Sequence, residues 1–485
     1  MHDSPTESTA LSNTDDALLA KLGYTQELSR RMGSFSNYAV SLSIICILAG
    51  GVTSFSQGFC GAGGAAIGLG WPLVCLFSLA VAATMGQVAS AFPTAGGLYH
   101  WAAILGGRGW GWATGWFNLA GLVTVLATIN VGFVRYVAGV FDAPLSDAGL
   151  GVAVLLVTVS HALWNHLAPG WATRLTDFSG WWILGVSVVL TLSLGLAAER
   201  YEWGRLVTFT NFSGAAGGHV HPETAALPWL FLMGFLLPAY TLTGFDASAH
   251  VAEETHDAAR SVPRGILRSV LVSGVFGWAM LVAVVLAMPS VDGAAREGER
   301  AFAWTLQRTL PDWLSMGLFV GIGVAQYFCG LATVTSTSRM VFAFARDGGL
   351  PCSAWFRHVS PRTRVPTGGI WGTAIAAILL ALFVPYASIA AACAVLLYIS
   401  YVVPTALGFF AHGRTWTEMG PWHLGVWYRP LAAISVLGCA GLLVIGVQPP
   451  NDRAIWIVGG VIVALFAGWW LHARAKFPGP PGMSR

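Results

Sequence analysis

Charge is scarce in this chain. Asp, Glu, Lys and Arg make up only 10% of its 485 residues, where soluble domains carry about 25%, so no water-facing globular surface can be assembled from it. Lysine is nearly missing: Lys21 and Lys476 are the two present, and every other basic residue is arginine. With 25 basic against 22 acidic residues the net charge is +3, far from the concentrated basic face that a nucleic-acid partner requires. The seven cysteines (Cys46, Cys60, Cys75, Cys329, Cys352, Cys393 and Cys439) are scattered, mostly inside apolar stretches. None has the spacing of a metal site, and they read as small buried hydrophobes. No Gly-x4-Gly-Lys-Ser/Thr loop is present, which removes the commonest ATP-hydrolysing device. No Ser-His-Asp arrangement has supporting context. Nothing points to a cofactor or to an obligate protein partner. The first 35 residues lack a basic-then-apolar leader, so the first apolar stretch is expected to stay in the chain.

Apolar sequence is abundant instead: 55% of residues are hydrophobic and the mean hydropathy is +0.66. A bilayer core takes about 20 apolar residues per helix. Twelve such stretches can be drawn, at 37–66, 71–92, 112–141, 148–166, 179–198, 227–251, 266–288, 313–345, 367–385, 388–411, 430–447 and 454–473. This predicts an all-α, multi-pass integral membrane protein; the third and eighth stretches are long enough to require tilt. Trp71, Trp110, Trp112, Trp116, Trp229, Trp313, Trp422 and Trp427 fall near stretch ends, as an interfacial aromatic belt requires. With the N-terminus placed inside, Arg200, Arg205, Arg296, Arg300, Arg308 and Arg453 lie on outer connections, Arg135 and Arg339 lie within stretches, and the other 17 Lys and Arg are inner. The positive-inside rule therefore predicts that both termini are cytoplasmic, and the preference for Arg over Lys, the mark of a GC-rich bacterial genome, points to a bacterial inner membrane.

Asp246 is the one carboxylate inside an apolar stretch. An acid at membrane depth costs several kcal/mol unless it is paired or lines a wet cavity, so it marks a site by default. Beside it, Thr243-Gly244-Phe245-Asp246 offers a glycine where the sixth helix can open. The first stretch carries its own weak point, Ala49-Gly50-Gly51-Val52-Thr53-Ser54, because glycine costs about 1 kcal/mol in a helix interior. Five helices separate the two breaks, an odd offset that inverts topology. Helices 1–5 (37–198) and 6–10 (227–411) are then expected to be inverted repeats, with helices 11 and 12 (430–473) outside them, an N-terminal segment 1–36 and a tail 474–485.

Three ordered motifs carry a resemblance. They are Pro93-Thr-Ala-Gly-Gly-Leu-Tyr99, Thr243-Gly-Phe-Asp-Ala-Ser-Ala-His-Val-Ala-Glu-Glu254 with Ser261-Val-Pro-Arg-Gly-Ile266, and Ser338-Arg-Met-Val-Phe-Ala-Phe-Ala-Arg-Asp-Gly-Gly-Leu-Pro351. Together they make the chain resemble the amino acid–polyamine–organocation (APC) superfamily, most closely its amino acid/choline transporter branch of GABA, choline and polyamine permeases. The resemblance implies a leucine-transporter-like fold of 5+5 inverted repeats plus two helices, working by alternating access. It implies a substrate carboxylate held by the opened backbone at Gly50, Gly51 and Val52, flanked by Ala49, Thr53 and Ser54. Thr243, Gly244, Phe245 and Asp246 would supply the facing wall, with Asp246 either meeting a substrate ammonium or fixing the local structure. Tyr240, Tyr327 and Tyr398 are candidate aromatic contacts, since cations bind ring faces.

Coupling by Na⁺ or H⁺ stays open. Hydroxyls of the eighth helix, Thr335 and Ser336, are candidate sodium ligands, although such hydroxyls more commonly bond back to their own helix. The fifth helix, from Trp181 to Glu199, has no lysine to stand in for the ion. Asp246 and His250 are spaced i,i+4 and share a face if the helix resumes there, a possible proton relay. Asn118 and Asn130 read as inter-helix hydrogen-bonding groups. For the inner gate the candidates are Arg30 or Arg31 with Asp347, capped by Tyr99; the alternative for those charges is a solvated surface pair. The reading is a secondary transporter that imports a small amine or amino acid such as GABA, with choline and polyamines as alternatives. A channel, a membrane enzyme and a non-transporting sensor are the rival classes.

Overall fold

The computed structural model describes residues 14–143 and 145–481. The beginning of the segment 1–36 and the end of the tail 474–485 lie outside the described residues. All twelve apolar stretches are helical and keep their numbers here as spans. Among the described residues ten helices are long and apolar enough to cross a membrane; two shorter apolar ones, Leu227–Thr241 and Thr367–Phe383, are in spans 6 and 9. Among the described residues there is no strand, only isolated bridges such as Met32 with Thr255. Spans 3 (Arg108–Val140) and 8 (Asp312–Arg346) have 33 and 35 residues. At 1.5 Å per residue each is roughly 50 Å long, well beyond a ~30 Å hydrocarbon core.

Burial sorts centre from rim. The most apolar window of span 1 is 78% buried and those of spans 3 and 8 are both 72%, whereas spans 4, 5 and 12 reach only 22%, 28% and 11%. Lipid-facing apolar residues are what leave the outer helices so exposed in the bare chain. Span 10 (Tyr386–Ala411) packs along span 3, span 7 (Ala258–Ala287) along spans 1 and 2, and span 8 along span 3. Several helices begin outside their apolar stretch. Span 7 starts at Ala258, eight residues before the expected 266, because its polar first turns are held by protein: the Asp15 carboxylate accepts from the amides of Asp257 (2.8 Å) and Ala258 (3.1 Å). That satisfies free donors at the helix start as a capping side chain would.

Two spans are broken. Span 1 runs Ser34–Ile45, Ile47–Thr53 and Phe55–Ala62, with its break at Cys46, which takes φ 27 and ψ 82. The expected position was Gly50-Gly51, which instead lies inside the helix Ile47–Thr53, the Gly50 amide bonded to the Cys46 carbonyl at 3.0 Å. Close packing explains Gly50 better: a Cβ there would stand 2.8 Å from Thr241 Cα of span 6. Span 6 breaks where expected. Helix Leu236–Thr241 stops, Gly244 takes φ +98, and a helix resumes only over Ala247–His250.

Candidate functional site

The two breaks face each other, and a cavity of about 30 Å³ lies between them. Ile44, Ile45, Ala49 and Gly50 of span 1 form one wall and Tyr240, Thr243 and Gly244 of span 6 another; Leu122, Val125 and Ile129 of span 3, Cys329 of span 8 and Leu397 of span 10 complete it. Its volume is about one water's share of the liquid. No charged side chain lines it. Of the residues singled out from sequence, Ala49, Gly50, Tyr240, Thr243 and Gly244 are brought to this cavity. Gly51, Val52, Thr53, Ser54, Phe245 and Asp246 are not. Thr53, one turn beyond Ala49, is exposed and donates to the Ala49 carbonyl at 2.8 Å.

Asp246 sits one layer deeper and is fully buried. Its Oδ1 accepts from Tyr401 Oη at 2.7 Å, its Oδ2 accepts from Asn118 Nδ2 at 3.0 Å, and His250 Nε2 stands 3.3 Å from the same Oδ2. These partners come from spans 10, 3 and 6. Asn118 thus has the inter-helix role read for it. Tyr401 also accepts the Gly244 amide at 3.1 Å, and Phe245 packs against the Tyr401 ring with centroids 4.9 Å apart. Tyr398 is engaged by the Ala239 carbonyl, and Tyr327 by Ser160 and the His161 ring, both away from the cavity.

Of the two span 8 hydroxyls singled out, Thr335 bonds away from span 1, while Ser336 is fully buried and its Oγ has no hydrogen-bond partner among the described residues. Thr335 donates to Asn165 Oδ1 of span 4 at 2.7 Å, and it lies six residues past Cys329, about 9 Å farther along the helix. Where span 8 passes the Cys46 break it presents Ala325 and Cys329; the Cys329 thiol donates to the Ile44 carbonyl at 3.3 Å.

At one end of the bundle the path is sealed. Arg31 and Met32 donate backbone N–H groups to the Glu254 carbonyl, and Asn37 Nδ2 donates to Ser248 O and Thr255 Oγ1. Arg339 Nε meets Glu254 Oε1 at 2.6 Å, and Arg346 grips Glu253 with both terminal nitrogens, at 2.9 and 2.8 Å. The expected pairing of Arg30 or Arg31 with Asp347 is corrected. Arg30 pairs with Asp15 (3.7 Å) and Asp16 (3.0 Å), and Arg31 lies 4.0 Å from Glu254. Asp347 Oδ2 instead accepts from two phenols, Tyr24 and Tyr99, both at 2.7 Å. Burial pushes the Asp347 carboxyl up to about 6, against the opposing pull of Arg346 and the two phenols. The same phenols are raised above the ordinary tyrosine value, first by their own burial and then by the Asp347 charge. The chain's last described residues pack here too: Phe477 is buried against Tyr99 and Phe344.

Several site residues were not singled out from sequence. Ile44, Ile45, Leu122, Val125, Ile129 and Leu397 are apolar residues in apolar helices, with nothing local to distinguish them. Tyr24 lies in a polar segment before the first span. Cys46 carried no signal of a break, because a positive φ at a non-glycine residue is set by tertiary packing.

Comparison with known proteins agrees over the full length. A family model described as amino acid permease matches residues 33–471. The chain is 31% identical over 504 residues to the amino-acid permease BAT1 of Arabidopsis thaliana, covering 95% of each chain. A homolog of that permease from Oryza sativa is 30% identical over 505 residues, covering 96% of each. The GABA-specific permease of Saccharomyces cerevisiae is 26% identical over 505 residues, covering 96% of this chain and 86% of that one.

Proposed function

Since the chain belongs to the amino acid permease family, a multi-pass membrane family of amino acid transporters, we propose that it imports a small amino acid, GABA among the candidates, by alternating access at the cavity between spans 1 and 6. The observation that carries this is the position of that cavity, between two broken spans and sealed at one end of the bundle. Alternating access needs a site that two gates can reach in turn. The sealed end carries Arg31, Glu253, Glu254, Arg339, Arg346 and Asp347, and we assign it to the cytoplasm, with both termini.

The lining favours an amino acid over a quaternary amine. Tyr240 is the one aromatic residue in it, whereas quaternary ammonium recognition uses several ring faces. Substrate charges would be met by backbone groups: the amides of Ile47 and Leu48, which open the outer half of span 1, have no hydrogen-bond partner among the described residues. Asp246 is read as a support of the span 6 break, since both its carboxylate oxygens are taken up, by Tyr401 on one side and by Asn118 and His250 on the other. The cavity must expand to admit substrate, by outward movement of the half-helices around Cys46 and Gly244.

Purified protein in liposomes, offered labelled GABA, alanine, choline and spermidine in turn, tests the reading. Saturable uptake of GABA or alanine is the expected outcome. Uptake of choline or spermidine with neither amino acid transported would overturn it.

A further inference from the structure

The contacts of His250 fix how many protons it shares with Asp246. Its Nδ1 lies 3.1 Å from the Ala95 carbonyl oxygen, and its Nε2 lies 3.3 Å from Asp246 Oδ2. A carbonyl oxygen only accepts, so Nδ1 must carry a hydrogen. Asp246 already accepts from Tyr401 and Asn118, so the contact with Nε2 also needs a hydrogen, on one atom or the other. Either His250 is an imidazolium facing a carboxylate, or it is a neutral Nδ1–H imidazole accepting from a carboxylic acid. Both descriptions contain one proton more than a neutral histidine beside an ionised aspartate.

The surroundings support the same count. Asp246 and His250 are both fully buried. Span 10 faces them with Tyr401 and, behind it, Tyr398; span 3 offers Asn118, which is neutral; the loop Phe92–Tyr99 offers the Ala95 carbonyl and Gly97. On the far side of Ala95 stands Glu253, whose Oε1 accepts the Ala95 amide at 3.1 Å and which is itself paired with Arg346. An uncompensated carboxylate in such a place costs several kcal/mol. The shared proton makes the pair neutral.

We propose that Asp246 and His250 form a proton-binding site that couples transport to the proton gradient. The proposal rests on the permease reading for the word transport, but the proton count stands on geometry alone. The pair is connected both ways. Toward the cavity, Gly244 N–H donates to Tyr401, which donates to Asp246. Toward the sealed end, one residue, Ala95, touches His250 with its carbonyl and Glu253 with its amide. One proton enters from the outer side and is held by the pair. It leaves to the inner side when the loop Phe92–Tyr99 withdraws and water reaches His250. Each cycle then moves one proton and one positive charge inward with a zwitterionic substrate.

Two measurements test this on the full chain. The first needs no substrate: nitrogen-15 spectra of the histidine rings in wild-type protein, with His250 assigned from the signal lost in His250→Gln. A protonated Nδ1, with Nε2 either protonated or hydrogen-bonded to a carboxylic acid, is expected. Neutral His250 protonated at Nε2 and bare at Nδ1 would overturn the proposal. The second is uptake of labelled alanine or GABA into liposomes held at internal pH 7.5, at external pH 5.5 and 7.5. The wild-type ratio of the two rates should be about tenfold, and in His250→Gln it should fall to about one, whatever the absolute rate. A variant that keeps the wild-type ratio overturns the coupling role. If wild-type protein transports neither amino acid, the permease reading fails, and the ring spectra still decide the proton.

Discussion

Asp347 offers a test in which the sign of the effect is decided by the structure. Its carboxyl is buried in the seal assigned above to the cytoplasmic side and pushed up to about 6, from an ordinary 3.8, chiefly by burial. Opening the seal would return it to water and to its ordinary value. Between these two values the closed seal holds a proton that the open one does not. Acid therefore favours the closed form as pH falls through 6, and the preference is complete below about 4. Above 6 the ionised group disfavours closure relative to that limit. At 1.36 kcal/mol per pH unit the difference is about 3 kcal/mol. Asp347→Asn mimics the protonated state and can still accept from Tyr24 and Tyr99 through its amide oxygen. It should shift the equilibrium toward the sealed form by about 1–3 kcal/mol at pH 7, the lower figure allowing for weaker hydrogen bonds to a neutral acceptor. The assay is the labelling rate of a single cysteine placed at Thr243, in the cavity beyond the seal, by a membrane-impermeant thiol reagent on the inner side. Labelling should slow about 5- to 150-fold in the variant. In the parent it should also slow on acidification from pH 7.5 to 5.5, and in the variant it should not respond. Faster labelling of Asp347→Asn at pH 7 would refute the argument, because it would mean that the ionised carboxylate holds the seal together rather than straining it.

Three further outcomes follow from packing and pairing. Arg339→Met strands Glu254, 1% exposed, with only the 4.0 Å Arg31 contact; it should destabilise by about 3–5 kcal/mol, seen as a lower melting temperature in detergent that Glu254→Gln in the same chain partly restores. Gly244→Ala places a Cβ 2.4 Å from Ile44 Cγ2 at φ +98, so substrate affinity should fall at least tenfold as the two broken spans are pushed apart, measured by binding of labelled substrate to purified protein. Gly51→Ala meets only the flexible end of Met280, at 3.3 Å, and should bind substrate within about twofold of wild type, whereas Gly50→Ala, against the Thr241 backbone, should not.

The membrane class and the span 6 break were legible because each rests on a signal that composition or a single residue carries: long apolar runs, and a glycine beside a lone acid. The site was legible only in part. Glycine pairs serve both open backbone and close helix packing, and in span 1 the second use holds at Gly50, where span 6 approaches. The actual break at Cys46 depends on what spans 6 and 8 press against it, which no local pattern encodes. Charge partners failed for a related reason. Arg30, Arg31, Glu253, Glu254, Arg346 and Asp347 were all visible, but pairing among six charges is decided by distances of a few ångströms between separate helices. The bidentate grip of Arg346 on Glu253 and the capture of Arg30 by Asp15 and Asp16 leave Asp347 to the two tyrosines.

The loop Phe92–Tyr99 joins the two titratable clusters, and this restricts how the inner side can open. Tyr99 donates to Asp347, the Ala95 amide donates to Glu253, and the Ala95 carbonyl and Gly97 lie against His250. The loop cannot leave one cluster without loosening the others. Withdrawing it exposes Asp347, which then favours losing a proton, and exposes His250, which loses the carbonyl that holds its Nδ1 hydrogen. Both changes release protons to the same side, so inner acidity should oppose opening at both places, while outer acidity acts only at the Asp246–His250 pair. Internal and external pH therefore have separable effects on uptake. In Asp347→Asn the internal dependence should weaken and the external one persist; in His250→Gln the external dependence should vanish and part of the internal one remain. Loss of both dependences in either single variant would mean that the two clusters titrate as one unit, and that the loop is no more than a cover over it.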